Sequence, residues 1–198
     1  MKEEKTIESR QIYGGRRLTL RVDTVSLPNG ETRRREIVSH PGAAAVVALV
    51  GGEGEGEGEG KDVGEGEDKS EDKSEGREEE KVLLVEQYRK AVESSTLEIP
   101  AGTLEEGESA QECAERELVE ETGFRAGKME RLVEFYPSPG FSSELISIFK
   151  ATGLKQVSGV EAELSVKFEG VKELLAKVRR GELKDGKTIV GVLSVLCE

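Results

Sequence analysis

The hydrophobic and polar positions fall into three kinds of pattern along the chain. In Leu18–Leu27 (LTLRVDTVSL) they alternate at period two, the mark of a half-buried strand, and Pro28-Asn29-Gly30 reads as the turn that ends it. Glu31–Val38 (ETRRREIV) begins the next strand, so short strands joined by turns are predicted from about Ile7 to Val38. Ala43–Val50 (AAAVVALV) and Lys81–Arg89 (KVLLVEQYR) are instead continuous apolar runs of strand length, which predicts buried central strands. Beyond them a helix is predicted over Ser109–Glu121, stopping before Gly123, then strands around Lys128–Tyr136 and Leu145–Ala151. Ser165–Gly170 reads as a strand, Val171–Arg180 as an amphipathic helix closed by Gly181, and Lys187–Leu196 as a final helix. This mixture predicts an α+β fold with helices packed on a mixed β-sheet. No internal repeat is evident.

Charge changes the picture once it is divided along the chain. The formal net charge is -12 over 198 residues, but Gly51–Glu80 alone holds 14 acids against 4 bases, or -10, which leaves -2 for the other 168. The low pI therefore describes one stretch of Gly, Glu, Asp, Lys and Ser, with Val63 its one large apolar residue. A segment that poor in apolar surface cannot offset its ordering entropy, and a disordered, solvated spacer is predicted. It lies between two strand-like runs, which places it as a lengthened hairpin loop; closure cost grows only slowly with length. The rest of the chain is close to neutral and offers no basic surface for nucleic acid. Cys113 and Cys197 are far apart, in apolar contexts, with no disulfide framework or zinc spacing, so a reducing cytoplasm is expected. No apolar leader follows Met1 and no run has the length of a membrane span. His40 stands alone before Pro41 and reads as a turn residue.

The predicted helix at Ser109–Glu121 contains a conflict. On a wheel of about 100° per residue, Ala110, Cys113, Ala114 and Leu118 form one apolar stripe; Glu117 and Glu121 fall inside it and Glu120 on its edge. Two like charges one turn apart cost roughly 0.2–0.5 kcal/mol on an exposed helix, and partial burial of an unpaired charge costs several kcal/mol more. The helix itself offers one cation, Arg116. Two readings follow from the pattern: an acidic solvated helix whose stripe is shifted, which suits Glu112 and Glu115, or a hard divalent cation gathering the acids, since Mg²⁺ takes oxygen ligands. Val119 lies on the apparently solvent side and implies a second packing surface.

These residues resemble the box of the Nudix hydrolase family: G, five residues, E, seven residues, R-E-(large apolar)-x-E-E-x-G-(large apolar). Gly102, Glu108, Arg116, Glu117, Leu118, Glu120, Glu121, Gly123 and Phe124 fill all nine specified positions over 23 residues. VLLVEQYR and LEIPAG before the box, YPSPGF after it, and the N-terminal GGRRLTLRVDTVSLPNG and HPGAAAVVAL are similar to the ADP-ribose pyrophosphatase branch, whose marker proline falls at Pro139. The resemblance spans nearly the whole chain apart from residues 51–80, where the family usually has a short turn.

The resemblance implies a mixed sheet sandwiched between helices, with an N-terminal region (1–40) forming a small extra antiparallel sheet that serves dimerisation, and a Nudix domain over 41–198. It implies a homodimer acting on a small nucleotide sugar, not a nucleic-acid or membrane protein. Glu117 and Glu121, then Glu120, with the carbonyl of Ala101, would ligate Mg²⁺ or Mn²⁺. Arg116 and Glu108 would orient the acids by ion pairing, Gly102 and Gly123 would serve backbone geometry, and Pro100 would stiffen the loop. Arg89 would reach the pyrophosphate, which suits a guanidinium fork. Ser138, Gly140 and Glu144, around Pro139, would contact the terminal ribose. The general base would be Glu163, ahead of Glu161, because it stands directly before a strand; a box glutamate such as Glu120 is the alternative. Trp is absent, and Tyr13 is one aromatic available to stack a base. The implied reaction is hydrolysis of ADP-ribose to AMP and ribose 5-phosphate. The rivals are another nucleoside diphosphate sugar, an oxidised nucleotide, or a non-catalytic nucleotide-sensing module.

Overall fold

The structure, a computed structural model, describes residues 3–51 and 80–197. The reading of residues 52–79 as a disordered spacer lies outside the described residues. In chain order the elements are β1 (Lys5–Gly14), β2 (Thr19–Ser26), β3 (Thr32–Ser39), β4 (Ala43–Val50), β5 (Lys81–Arg89), a 3-10 turn (Lys90–Val92), β6 (Ser94–Glu98), β7 (Ala101–Thr103), α1 (Ala110–Thr122), β8 (Phe124–Arg125), β9 (Lys128–Phe135), β10 (Ile146–Thr152), β11 (Lys155–Gln156), β12 (Ser165–Gly170), α2 (Val171–Arg180) and α3 (Gly186–Val195). The predicted bounds hold to within one or two residues. The short strands β6, β7, β8 and β11 had no pattern of their own, being too brief to show a period.

The apolar run of β4 has a simple cause: the central sheet is covered on both faces. Ala45, Val47 and Leu49 pack with Val171, Leu174 and Val192 of α2 and α3, whereas Ala44, Val46 and Ala48 pack with Cys113, Ala114 and Leu118 of α1. The strand order is β12-β5-β4-β10-β9, with β4 and β10 parallel and the remaining pairs antiparallel. β1, β2 and β3 form a separate antiparallel sheet. Val38 at the end of β3 ties that sheet to the main body: its N–H donates to Phe141 O (2.8 Å) and its carbonyl accepts from Ser143 N (3.0 Å).

One departure from regular pairing makes the site. β4 pairs with β5 only at Ala48–Val50, opposite Leu83–Lys81, and its other end pairs with β7. β5 meanwhile continues with β6 as its partner, out to Arg89. The sheet therefore forks, and Glu98–Ala101 crosses from one branch to the other, with Pro100 O accepting from Val46 N at 2.9 Å. Val50 and Lys81 are paired, at the opposite end of β5 from Arg89. Among the described residues no helix is long and apolar enough to cross a membrane.

Candidate active site

α1 begins with a capping box: Ser109 Oγ accepts from Glu112 N (3.3 Å) and Glu112 Oε2 accepts from Ser109 N (2.9 Å). It ends at Gly123, whose φ of 74° is left-handed and suits glycine. Between these stops the helix lays Leu118 on the sheet and carries the acids to the fork. Glu121 is 7% exposed and its Oε2 accepts from the Ala101 N–H at 3.0 Å. Burial pushes the Glu121 carboxyl up to about 7, only partly offset by the Ala101 N–H and by the charges of Arg89 and Lys187. Burial also raises Glu117, against the pull of Arg116. Glu120 is exposed and Glu112 and Glu115 face solvent. Val119 is half-buried and lines a cleft with Arg125, Ala126 and Met129.

Arg116 is the hub of the loop before the helix. It donates to Glu108 (2.8 and 3.0 Å), Glu117 (2.6 Å), Glu120 (3.1 Å) and Thr103 O (3.3 Å). Glu108 is held down at about 2 by Arg116, with help from the Glu105 N–H. Gly102 is fixed by close approach: a Cβ there would lie 1.7 Å from Glu117 Oε1. Gly102→Ala is expected to displace the Glu117 carboxylate and cut kcat by about a hundredfold, the scale of a 1 Å misplacement. Circular dichroism should show the fold intact, since a flexible side chain is all that must yield; unchanged kcat would remove Glu117 from the chemistry.

The residues fit a divalent cation. Glu117 and Glu121 are hard oxygen donors one turn apart, both desolvated, and a cation there would favour their charged forms. Among the described residues no three His, Cys, Asp or Glu side chains are gathered at ligating distances, and Arg116 holds Glu117 and Glu120. A cation there would compete with Arg116 for Glu117 and Glu120.

The wide groove at the fork is lined by Glu117, Glu120 and Glu121 of α1 and by Arg89, Glu98, Glu144, Glu163 and Lys187. The sequence agrees with this geometry at the level of family. A family model of the NUDIX domain matches residues 75–186, and one of the nucleoside diphosphate sugar hydrolase N-terminal domain matches residues 4–38. The chain belongs to the Nudix hydrolase family. It is 40% identical to the "Methanol dehydrogenase activator" of Bacillus methanolicus and 36% identical to the "ADP-ribose pyrophosphatase" of Bacillus subtilis (strain 168), each alignment covering 96% of this chain and 91% of the relative. A crystal structure described as "ADP compounds hydrolase" superposes with a TM-score of 0.73 at 19% identity, over 98% of this chain and 92% of the other, which shows the shared fold.

Within this Nudix hydrolase the predicted site residues divide. Glu163 lines the groove and its N–H donates to Glu120 O at 3.1 Å, beside Leu164 N–H on Glu121 O at 3.2 Å, so the loop is docked on the end of α1. Glu163 does not stand directly before the strand: Leu164 intervenes before β12. Glu161 is exposed and outside the groove lining. Glu144 lines the groove, but Ser138, Pro139 and Gly140 do not. They form a turn, with Ser138 O accepting from Phe141 N and Ser142 N, and the loop is drawn onto β3 by Val38. His40 does act in a turn, its Nδ1 accepting from Gly42 N at 3.1 Å. Cys197 is exposed, and Tyr13 is exposed on β1.

Two groove residues escaped the sequence reading. Glu98 is almost fully buried, and accepts from Arg89 Nε and Nη2 (2.7 and 2.6 Å), Thr96 Oγ1 (2.5 Å) and Lys187 Nζ. Burial would raise its carboxyl, but Arg89 and Lys187 outweigh that and hold it at about 2. Arg89 is thus clamped rather than free. The available signal for Lys187 was a cation in the first turn of a helix, where the macrodipole disfavours it.

Proposed function

We propose that this Nudix hydrolase cleaves the pyrophosphate of ADP-ribose to AMP and ribose 5-phosphate, with Mg²⁺ as the metal and Mn²⁺ as its substitute. The observation that carries the reading is the groove at the fork, where the acids of α1 and the cation Arg89 line one space with Glu163 at its rim. Glu117, Glu121 and Glu120, with the Ala101 carbonyl, would hold the ion, which supplies Lewis-acid polarisation of the phosphates. Arg89, aimed by Glu98, binds the pyrophosphate oxygens. Glu163 takes a proton from the attacking water as its oxygen bonds to one phosphorus; the bridging P–O bond breaks and the other phosphate leaves with that oxygen. Glu144 accepts hydroxyl hydrogen bonds from the terminal ribose.

The 36% identical ADP-ribose pyrophosphatase supports this substrate over other nucleoside diphosphate sugars. A homodimer joined through residues 1–40 is part of the proposal, the rest of the chain being the catalytic domain. β1 is exposed along its whole length, including Ile7, Ile12 and Tyr13. A reducing cytoplasm suits the free thiols Cys113 and Cys197.

The test is incubation with Mg²⁺ and a panel of ADP-ribose, other nucleotide sugars and oxidised dGTP, with products identified. ADP-ribose left intact while another member is consumed would overturn the substrate. Within the same assay, Glu163→Gln is expected to lower kcat by about 10²–10⁴-fold and Glu161→Gln to stay within about threefold; the reverse order would move the base to Glu161, and two active variants would move it to Glu120.

A further inference from the structure

We propose that Lys187 is a second diphosphate-binding cation, which forms with Arg89 a two-cation seat that the buried Glu98 aims into the groove. The inference rests on the substrate being a diphosphate and adds a binding residue from a different part of the chain, the start of α3.

Three features carry it. First, Lys187 occupies a costly position. Its side chain is 11% exposed, in the first turn of a helix whose N-terminus is already capped by Asp185, which accepts from Thr188 N at 3.0 Å. Both burial and the helix dipole oppose an ammonium there. An apolar side chain would serve packing at lower cost, so a cation kept in place points to a use for its charge.

Second, Arg89 and Lys187 converge on one buried carboxylate. Glu98 is one carboxylate shared by two cations, with Arg89 delivered from the end of β5 and Lys187 from α3, 89 residues further along the chain than Glu98. Lys187 also lies 3.0 Å from Asp185 Oδ1. An ammonium has three donors; Lys187 donates to Glu98 and is ion-paired with Asp185, which leaves donor capacity for a ligand. Both cations line the groove.

Third, the seat lies beside the acids. The charges of Arg89 and Lys187 are both felt at the Glu121 carboxylate. A bridging diphosphate offers oxygens to more than one donor, and Arg89 and Lys187 both line the groove beside those acids.

The experiment is calorimetric titration of the full-length protein, in Mg²⁺, with α,β-methylene ADP, whose carbon bridge resists hydrolysis. Lys187→Met is expected to weaken binding by about ten- to a hundredfold, the loss of one charge-assisted hydrogen bond. Lys187→Arg should recover most of it, and Lys172→Met, on the exposed face of α2, should match the wild type. Melting temperatures are read on the same samples. Weakened binding in Lys187→Met with recovery in Lys187→Arg supports the seat. Wild-type affinity in Lys187→Met, equal weakening in Lys172→Met, or no binding by the wild type overturns it. A wild type that binds the analogue through Lys187 yet leaves ADP-ribose intact would sink the substrate assignment and keep the seat.

Discussion

Glu121→Gln is expected to reduce turnover of ADP-ribose by at least about a thousandfold while making the metal-free protein harder to unfold. The two halves have one cause. Glu121 is a buried carboxylate whose pKa burial lifts to about 7, above the ordinary 4.5. A carboxyl raised in the folded state is easier to ionise once the chain unfolds, so its destabilising effect is absent below about pH 4.5, grows as pH rises, and is complete above pH 7. Glutamine keeps an oxygen for the Ala101 N–H but carries no charge, and removes that effect. The gain is bounded at roughly 3 kcal/mol, which for a chain this long is several degrees in Tm. In EDTA the variant should match the wild type near pH 5 and melt higher at pH 8. Adding Mg²⁺ at pH 8 should raise the wild-type Tm and barely move the variant, because stabilisation by a ligand follows its affinity for the folded state. A variant that melts lower than the wild type at pH 8 without metal, or that turns over normally, would take Glu121 out of the metal site.

Glu98→Ala is expected to be the most destabilising single change in the groove, by roughly 3–5 kcal/mol, because it removes the buried carboxylate that two cations share. Arg89 is partly exposed and can turn to water, and Lys187 keeps its ion pair with Asp185 at 3.0 Å, which puts the loss at the lower end. The pH dependence runs opposite to that of Glu121. Glu98 is held at about 2, below the ordinary 4.5, so its contribution is fully present above pH 4.5 and is lost as the pH falls toward 2. Urea unfolding should show a constant gap between wild type and variant from pH 8 to 5, closing toward pH 3. A gap that stayed constant through pH 3 would mean that the carboxylate charge is not what holds the cluster. Glu98→Gln should fall between, since an amide still accepts from Arg89 but no longer balances its charge.

Local pattern carried most of the architecture. A strand buried on both faces must be apolar throughout, so β4 was legible; α1 carried its own stop signals in Ser109 and Gly123. The acids of α1 were legible as well, because a charge inside an apolar stripe is a contradiction that a 3.6-residue period exposes. The turn at Ser138–Gly140 shows what a sequence leaves open, since a Pro-Gly turn looks alike whatever it faces; here the structure ties the segment after it to β3 through Val38. Glu163 was favoured over Glu161 for standing directly before a strand, but Leu164 intervenes, and what distinguishes Glu163 in the structure is its docking on the carbonyl of Glu120.

The sequence by itself determined the longer helices and strands, and that Glu117, Glu120 and Glu121 lie on or beside one helix face, because these depend on neighbours a few residues apart. Only the tertiary structure decided that β4 parts from β5, that Glu98 falls at that parting, and that Arg89 and Lys187 meet on it. Those groups come from three separate elements, and no periodicity links positions 89 and 187. Their meeting is set by how the forked sheet and α3 pack together, a property of long-range burial and ion pairing that no local window of sequence contains.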